Sequence, residues 1–350
     1  MPTSPALGAA DSPEPRPLIF DTDGGVDDCV ALWWALSDPG VRLLGITTTA
    51  GAVPERLAAT SVLKVLAAAG RLDIPVAVGA PGPFGPGPRL EPVPFIHGDD
   101  GQGNAGHLLP TGALPVDESA VDLLRRLVDA QPHEISVVAT APFTNLGRVL
   151  TDDPSWAGRV ADLVVMGGSV TAGGNAQPAA EANIAGDPTA AAVMVDAGWR
   201  RPPLMVGLDV TYQATLTDVE FDLLAERRNR AATFLDVPLR YYRPFGSTFT
   251  QPDCPCHDLL AMMAWADPAV LLDTPELPLA VVTTEGPAWG ATIADLRAPV
   301  FARVPGSRQA QPPGFAPWRV ALEVDVERFR AGFRRLVGAL PEFSSGIGTE

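Results

Sequence analysis

Four aspartates lie within eight residues near the start of the chain, in the segment Asp21-Thr22-Asp23-Gly24-Gly25-Val26-Asp27-Asp28. Carboxylates this close together repel one another and destabilise a fold unless a cation neutralises them. Because the donors are oxygen atoms, they favour a hard ion such as Ca²⁺ or Mg²⁺. Gly24 and Gly25 allow a tight backbone turn, so that Asp23 and Asp28 can face one ion. The segment therefore predicts a divalent cation site.

Two other interpretations use the same residues. An acidic helix N-terminus would interact favourably with the helix dipole, but it accounts for Asp27 or Asp28 and leaves Asp21 and Asp23 unexplained. The run from Leu18 to Gly24 also resembles the first motif of haloacid-dehalogenase-type phosphatases, with Asp21 as the nucleophile and Asp23 as the acid or base. That family needs a lysine and a later acidic pair, and the chain offers only Lys64 and the pair Asp99-Asp100.

The elements that would position these residues alternate along the chain. Apolar and β-branched runs predict strands at 17–21, 41–49, 75–78, 135–139, 163–166, 203–208, 279–283 and 319–324. Helical spacing predicts helices at 26–37, 54–69, 117–130, 187–196, 217–242, 257–265 and 325–339. This alternation indicates an α/β fold, a Rossmann-like, open and mainly parallel sheet with helices on both faces.

Further polar side chains follow these strands or open a helix. They are Thr140, Asn175, Glu181, Asn183, Asp209 and the pair His257-Asp258. Ligands of open parallel sheets bind beyond the carboxyl ends of the strands. We therefore expect an active site at that edge, with the aspartate segment at its centre.

Composition limits the partners and the organisation. The chain has 350 residues, 46% of them hydrophobic, and a net charge of −16, which disfavours nucleic acid and suits a cation or a neutral small molecule. No apolar run reaches the roughly 20 residues that cross a bilayer, so no membrane partner is expected. Three cysteines without zinc or redox spacing favour a reducing cytoplasm. We predict a disordered tail over 1–15, one catalytic domain over 16–342 and a flexible end over 343–350.

Beyond these patterns, the chain resembles the nucleoside hydrolases of the inosine-uridine preferring type over most of its length. The aspartate segment resembles their Asp-x-Asp-x-Gly-x-Asp-Asp signature, and residues 139–146 resemble their Ala-Thr-Gly-Pro-Leu-Thr-Asn-Leu segment. The later matches keep the family order: Met166-Gly167-Gly168, Gly174-Asn175, Glu181-x-Asn183, Asp187-Pro188, His257-Asp258, Glu285-Gly286 through Asp295, and Val324-Asp325 through Phe329. No single piece is decisive, but the ordered set is specific.

The resemblance implies a reaction, a cofactor and site residues. It implies calcium-dependent hydrolysis of the N-glycosidic bond of a ribonucleoside to free base and ribose, in nucleoside catabolism, by a homodimer or homotetramer. Calcium would be held by Asp23, Asp28, Asp258 and the backbone carbonyl of Thr140. The substrate would be contacted by Asp27, Asn175, Glu181, Asn183 and His97.

The implied catalytic residues are Asp23 and His257. Asp23 would take the proton of the attacking water, and carboxylates would stabilise the positive charge that develops on the sugar. His257 would serve the departing base as an acid, since histidine titrates near neutrality. Tyr241, Tyr242 and Phe245 precede His257 and could cover the leaving group or simply pack.

The chain departs from the family pattern at ligand contacts. Ala52 stands where an asparagine contacts the ribose 2′ side, and Ala182 stands where an aromatic residue commonly walls the base pocket. Loss of one such hydrogen bond costs about 1–3 kcal/mol when its partner stays buried and unpaired. We predict retained hydrolysis of a bulkier or non-standard riboside. A homologue that binds ribose and calcium without turnover is the alternative, and the sequence does not specify the base.

Overall fold

The computed structural model describes residues 14–85, 91–250, 252–297 and 314–343. Its strands are β1 (Arg16–Thr22), β2 (Val41–Thr48), β3 (Val76–Val78), β4 (Ser136–Ala139), β5 (Leu163–Met166), β6 (Leu204–Val206), β7 (Thr215–Leu216), β8 (Cys254–Pro255), β9 (Leu271–Asp273), β10 (Glu276–Val281), β11 (Thr292–Ala294), β12 (Ala316–Val320) and β13 (Glu323–Val324). Nine of them form one sheet in the order β11-β10-β12-β6-β5-β4-β1-β2-β3. The others form two small two-stranded sheets, β13-β9 and β7-β8.

The large sheet is mainly parallel, which confirms the predicted fold class. All neighbours from β3 to β12 run parallel, whereas β10 is antiparallel to both β12 and β11. The chain leaves β1 towards β2 on one side, and later strands add through β4 on the other. Such a reversal of strand order opens a crevice at the carboxyl ends of the strands. Asp21 pairs with Thr47 of β2 and Ala139 of β4, so the loops after these three strands meet there.

Helices cover both faces of this sheet. They are α1 (Val26–Ser37), α2 (Glu55–Ala68), α3 (Pro94–His97), α4 (Ala120–Ala130), α5 (Thr144–Asp152), α6 (Ala182–Gly186), α7 (Pro188–Asp196), α8 (Leu208–Thr211), α9 (Asp218–Arg227), α10 (Arg230–Thr250), α11 (His257–Ala266) and α12 (Val326–Ala339). Successive β1 residues alternate between the two faces, as strand geometry requires. Leu18 and Phe20 belong to the core that holds α1 and α11, while Ile19 belongs to the core that holds α5 and α7.

The predicted helix over 217–242 is wrong in one respect, because the structure has two helices there. Arg228 has a φ of 51°, a left-handed conformation that an α-helix cannot continue through, so α9 ends at Arg227 and α10 begins at Arg230. α10 then runs on to Thr250, past Pro238 and Pro244. Helical spacing does not reveal a single left-handed residue, and prolines favour an earlier end than the one observed.

Gly24→Ala is expected to destabilise the protein by about 1–3 kcal/mol, through backbone strain and steric conflict together. Gly24 has a φ of +71°, and a Cβ there would lie 2.7 Å from the Cα atom of Ala58 on α2. Gly70→Ala is the matched control, because Gly70 has a φ of +68° and nothing within 4 Å of the added Cβ. Urea unfolding of both variants measures the difference. Equal losses at the two positions would show that the contact with α2 contributes nothing.

The ends of the chain lie almost wholly outside the described residues. The tail over 1–15, the single domain over 16–342 and the flexible end over 343–350 therefore stay predictions. Among the described residues, no helix combines the length and apolar character needed to cross a membrane.

Candidate active site

A cavity of about 510 Å³ lies at the carboxyl ends of the central strands. The structure brings to its wall the ten residues that the family resemblance implies as catalytic, metal-binding or substrate-binding, although they come from separate segments. They are Asp23, Asp27, Asp28, His97, Thr140, Asn175, Glu181, Asn183, His257 and Asp258. The fold therefore gathers these residues at the sheet edge named by the strand-end argument, and their individual roles stay predictions.

Asp28 is held in place by three donors. Its Oδ1 atom accepts hydrogen bonds from the Thr22 and Thr140 hydroxyls, the latter at 2.6 Å, and its Oδ2 atom accepts one from the Gly25 backbone N–H at 3.0 Å. Both carboxylate oxygens are therefore fixed by donors from the protein. The contacts join the end of β1 to the end of β4, so Asp28 stays oriented towards the cavity.

Asp23 depends on the loop that follows β2. Its Oδ2 atom accepts a hydrogen bond of 2.8 Å from the Ala52 backbone N–H. A Cβ on Gly51 would lie 2.0 Å from the same oxygen, so this position must lack a side chain. Ala52 and Ala182 both line the cavity, as expected from their positions in the sequence. The backbone of Ala52 thus positions Asp23 while its side chain leaves space for a ligand.

The buried carboxylates at the cavity face no lysine or arginine side chain among the described lining residues that could neutralise their charge. Oxygen atoms of Asp27, Asp28 and Asp258 all lie within 4.8 Å of one another. Burial raises the pKa of Asp27 to about 7, with the Asp28 charge adding to the shift. Burial also raises the pKa values of Asp23 and Asp258 well above their usual range. No lysine or arginine among the residues of known placement lines the cavity. This all-oxygen donor set fits a hard divalent cation.

Asp23 is the predicted ligand that stands slightly apart. It is not one of the three carboxylates within 4.8 Å of one another, where Asp27 takes its place. A side-chain contact with Asp28 nevertheless contributes to the raised pKa of Asp23. The four carboxylates therefore form one electrostatic unit, in which Asp28 contributes to the raised pKa values of the other three.

The residues predicted for the sugar also build the wall that carries them. Glu181 is the N-cap of α6, where its carboxylate accepts hydrogen bonds from the backbone N–H groups of Asn183 at 2.9 Å and Ile184 at 3.1 Å. Burial raises the pKa of Glu181 to about 7. Asn175 Oδ1 accepts from the Ala182 N–H at 2.9 Å. Each of these side chains therefore has a structural task besides any contact with a substrate.

Asn183 links this wall to the end of β4. Its side-chain Nδ2 donates to the Thr140 carbonyl at 3.0 Å and to the Met166 carbonyl at 3.1 Å. The Thr140 carbonyl has a second lone pair, so this hydrogen bond leaves it able to bind a cation. Asn183 thereby orients the one backbone ligand that the sequence analysis predicts.

Two histidines face the cavity in uncharged form. Burial lowers the pKa of His257 to about 4, with His97 adding to the shift, and burial lowers the pKa of His97 to about 4. His97 Nδ1 accepts a hydrogen bond of 3.1 Å from the Val26 backbone N–H, so its ring proton sits on Nε2. His257 Nδ1 lies 2.7 Å from the Thr211 hydroxyl oxygen. Both rings therefore present their polar edges at defined positions.

Aromatic rings form the outer part of the cavity. Phe249 stacks on Tyr212 with centroids 5.4 Å apart, and Phe245 meets both Phe249 and Phe95 edge to face. Phe245 and Tyr242 line the cavity as suggested by the sequence, whereas Tyr241 does not and donates its hydroxyl to the Pro94 carbonyl at 2.9 Å. The sequence analysis missed Phe95, Tyr212 and Phe249. No spacing distinguishes these rings from packing aromatics.

Asp21 has a structural position and does not line the cavity. It is fully buried and accepts hydrogen bonds from the Thr47 hydroxyl at 2.5 Å and from Asn145 Nδ2 at 2.8 Å. Lys64 is also absent from the cavity wall and donates to the Gly106 carbonyl at 3.1 Å. The structure therefore does not assemble the nucleophile and lysine that the phosphatase interpretation requires.

Asp209 organises a loop at the edge of the site. Its carboxylate accepts hydrogen bonds from the backbone N–H groups of Val170 at 2.8 Å, Thr171 at 2.7 Å and Ala172 at 3.1 Å. This loop leads from β5 to Asn175. Asp209 thus supports the cavity wall indirectly. This structural role explains why a polar residue follows β6 although it does not bind a ligand.

Comparisons with known proteins agree with this arrangement. The family model for inosine-uridine preferring nucleoside hydrolases matches residues 18–331. A protein named probable uridine nucleosidase 2 from Arabidopsis thaliana is 38% identical over 233 residues, covering 67% of this chain and 71% of its own length. One of the same name from Oryza sativa subsp. japonica is 33% identical over 326 residues, covering 93% and 94%. The solved structure of a plant nucleoside hydrolase, the PpNRh1 enzyme, has a TM-score of 0.84 at 30% identity, covering 92% and 99%.

The match spans the sheet, the helices on both faces and every segment that contributes to the cavity. The resemblance in the ordered motifs is therefore confirmed, together with the fold and the class of reaction. The protein belongs to the inosine-uridine preferring nucleoside hydrolase family, whose members hydrolyse the N-glycosidic bond of ribonucleosides.

Proposed function

We propose that this enzyme hydrolyses a ribonucleoside to free base and ribose with Ca²⁺ as its metal. The observation that carries the proposal is the burial of four aspartates at one cavity without a protein cation among the described lining residues. Such a cluster is stable in ionised form only with a bound cation. The family is metal-dependent, and oxygen ligands with flexible spacing favour calcium.

Asp23, Asp28, Asp258 and the Thr140 carbonyl would hold the ion. The proximity of the Asp28 and Asp258 carboxylate oxygens supports their assignment as ligands. The hydrogen bond from Asn183 to the Thr140 carbonyl supports the assignment of that carbonyl, because it fixes its orientation. When bound, the cation supplies the positive charge that keeps these carboxylates ionised, orients ribose hydroxyls and acidifies a neighbouring water. Asp27 lies beside the same group and is proposed to accept a hydrogen bond from a ribose hydroxyl.

The remaining sugar contacts are assigned to the wall that Asn175, Glu181 and Asn183 build. We assign the 3′-hydroxyl to Asn183 and the 5′-hydroxyl to Asn175 and Glu181. These polar groups are already held by backbone donors and carbonyls, so they are pre-organised before a substrate arrives. His97 presents its Nε2–H to the same cavity, and we assign it to substrate binding.

Asp23 and His257 serve two different parts of the bond cleavage: the attack of water and the departure of the base. A water oxygen forms a bond to C1′ of the ribose while the C1′–N bond breaks, and the bonding electron pair leaves with the base. Asp23 accepts the proton of the water, and the surrounding carboxylates stabilise the positive charge that develops on the sugar. His257 donates a hydrogen bond from Nε2–H to the departing base, since burial lowers its pKa to about 4 and leaves the ring uncharged near neutral pH; the base then takes its proton from solvent.

The base pocket is proposed to accept a bulkier or non-standard riboside. Ala52 and Ala182 contribute small side chains to a cavity of about 510 Å³, while relatives carry the name uridine nucleosidase. A panel of inosine, uridine and base-modified ribosides, assayed for release of reducing sugar with calcium present, tests this. We expect kcat/KM to be highest for a modified riboside. Cleavage of inosine and uridine as efficient as that of any modified riboside would show that the trimmed contacts do not set specificity.

The same panel tests a homologue that binds without turnover. Release of ribose from no member of the panel, together with tight calcium binding, would favour that alternative. The positions of Asp23 and His257 at the cavity support turnover. The homodimer or homotetramer and the cytoplasmic location stay predictions, which sedimentation and fractionation can test.

A further inference from the structure

His257 is held through the ring nitrogen that faces away from the substrate space. Its Nδ1 atom lies 2.7 Å from the Thr211 hydroxyl oxygen, at the end of α8. Thr211 is fully buried and is not among the residues that line the cavity. Its hydroxyl has no other hydrogen bond among the described residues. The contact therefore serves His257.

A hydroxyl is a suitable partner for a histidine ring in either tautomer. It donates to Nδ1 when that nitrogen is bare and accepts from Nδ1–H when the nitrogen is protonated. A carboxylate would instead stabilise the charged ring, and an aliphatic side chain would leave the ring free to turn. Thr211 can thus hold one ring orientation with either tautomer of the neutral ring.

Neighbouring packing restricts the same ring in a second direction. Tyr212 meets His257 edge to face with centroids 5.8 Å apart, and Tyr212 is itself stacked on Phe249 at 5.4 Å. His257 Nε2 has no hydrogen-bond partner among the described residues, and the ring lines the cavity. Nε2 is therefore the nitrogen available to a departing base.

We propose that Thr211 is a positioning residue for departure of the base: its hydroxyl holds Nδ1 of His257 so that Nε2 points at the leaving group. The inference rests on the proposed function and concerns one half of the reaction. Thr211 would therefore affect the departure of the base, which involves His257, but not the attack of water, which involves Asp23.

Thr211→Val, which replaces the hydroxyl by a methyl group of similar volume, tests the proposal with two substrates. One is the best nucleoside of the panel, whose base must gain a proton or hydrogen bond to leave. The other is 4-nitrophenyl β-ribofuranoside, whose leaving group departs as a stabilised anion. We expect kcat to fall by between about 10-fold and 100-fold with the nucleoside and by less than about 3-fold with the nitrophenyl riboside. Thr211→Ser should restore most of the loss.

Two comparisons make the result decisive. Thr144→Val removes another buried threonine hydroxyl, which donates to Asp187 at 2.8 Å away from the cavity, and should leave the ratio of the two kcat values unchanged. Asp23→Asn should lower kcat for both substrates. Because each ratio comes from one protein sample, partial unfolding cancels; Thr211→Ala gives the same readout if the valine variant does not fold.

The outcomes are distinct. An equal loss with both substrates, or no loss with either, would overturn the role of Thr211 while leaving the proposed function intact. Cleavage of the nitrophenyl riboside but of no nucleoside by the wild-type enzyme would overturn the leaving-group assignment itself. Cleavage of neither substrate would refute the proposed function.

Discussion

Asp23→Asn is expected to lower kcat for ribonucleoside hydrolysis by about 10²–10⁴-fold, the usual contribution of a positioned general base. An amide cannot accept the proton of the attacking water. The carbonyl oxygen of the new amide can still accept the hydrogen bond from the Ala52 N–H, which Asp23 Oδ2 accepts at 2.8 Å, so the loop should keep its shape. Initial rates at saturating calcium, with circular dichroism to confirm the fold, measure the effect.

Glu55→Gln is the matched control for Asp23→Asn. Glu55 lines the same cavity but lies at the start of α2, outside the aspartate cluster, where its carboxylate is 4.0 Å from the Arg56 guanidinium. We expect its kcat to stay within about 3-fold of wild type, since an ion pair with an exposed partner contributes little.

Calcium affinities of the Asp23→Asn and Asp27→Asn variants should distinguish a metal ligand from a residue that contacts the sugar. The Asp23→Asn variant should bind calcium more weakly than the Asp27→Asn variant. A near-normal kcat for Asp23→Asn would refute its role as base.

Removal of calcium is expected to abolish turnover and to lower stability. Without the cation, the buried aspartates can keep their charge only at a high electrostatic cost. Binding to the folded state alone stabilises a protein by about 2.7 kcal/mol at 100 times Kd and about 4.1 kcal/mol at 1,000 times Kd. Dialysis against EGTA, followed by thermal unfolding and activity before and after calcium is restored, measures both losses. An equally stable and active chelated protein would contradict the cation site.

The pH dependence of the metal-free protein follows from the same charges. Burial raises the pKa of Asp27 from 3.8 to about 7, so the folded state binds more protons than the unfolded state between these values. Stability must therefore fall as pH rises from about 4 to about 7. Glu181, whose pKa is raised by burial to about 7, acts in the same direction. Thermal unfolding in EGTA at pH 5 and pH 8 should show the decline, and saturating calcium should reduce it. A metal-free protein that is more stable at pH 8 would show that the cluster is not strained by its charge.

Tertiary structure alone separates the four aspartates by role. In sequence, Asp21 and Asp23 are equivalent residues after an apolar strand. In the structure, Asp21 still belongs to β1 and pairs with Thr47 and Ala139, so neighbouring polar groups enclose it. Asp23 lies two residues further on, beyond the sheet, where the Ala52 backbone turns its carboxylate to the cavity. Strand register decides this difference, and register is a property of strands far apart in the chain.

The same reason explains which residues were missed. Thr211, Phe249 and Phe95 reach the histidine or the cavity through α8, α10 and α3, and their types alone are those of ordinary packing residues. Their partners lie far away in the sequence, so no local spacing marks them. Helical periodicity likewise does not reveal the left-handed conformation of Arg228, which ends α9.

By itself, the sequence determined the α/β fold, the edge of the sheet that carries the site and the oxygen chemistry of the aspartate segment. These features depend on residue type and local period, which a single chain displays directly. Tertiary structure decided which aspartate is structural, which hydroxyl holds His257 and which aromatic rings line the cavity. Those outcomes depend on contacts between segments that only the folded sheet brings together.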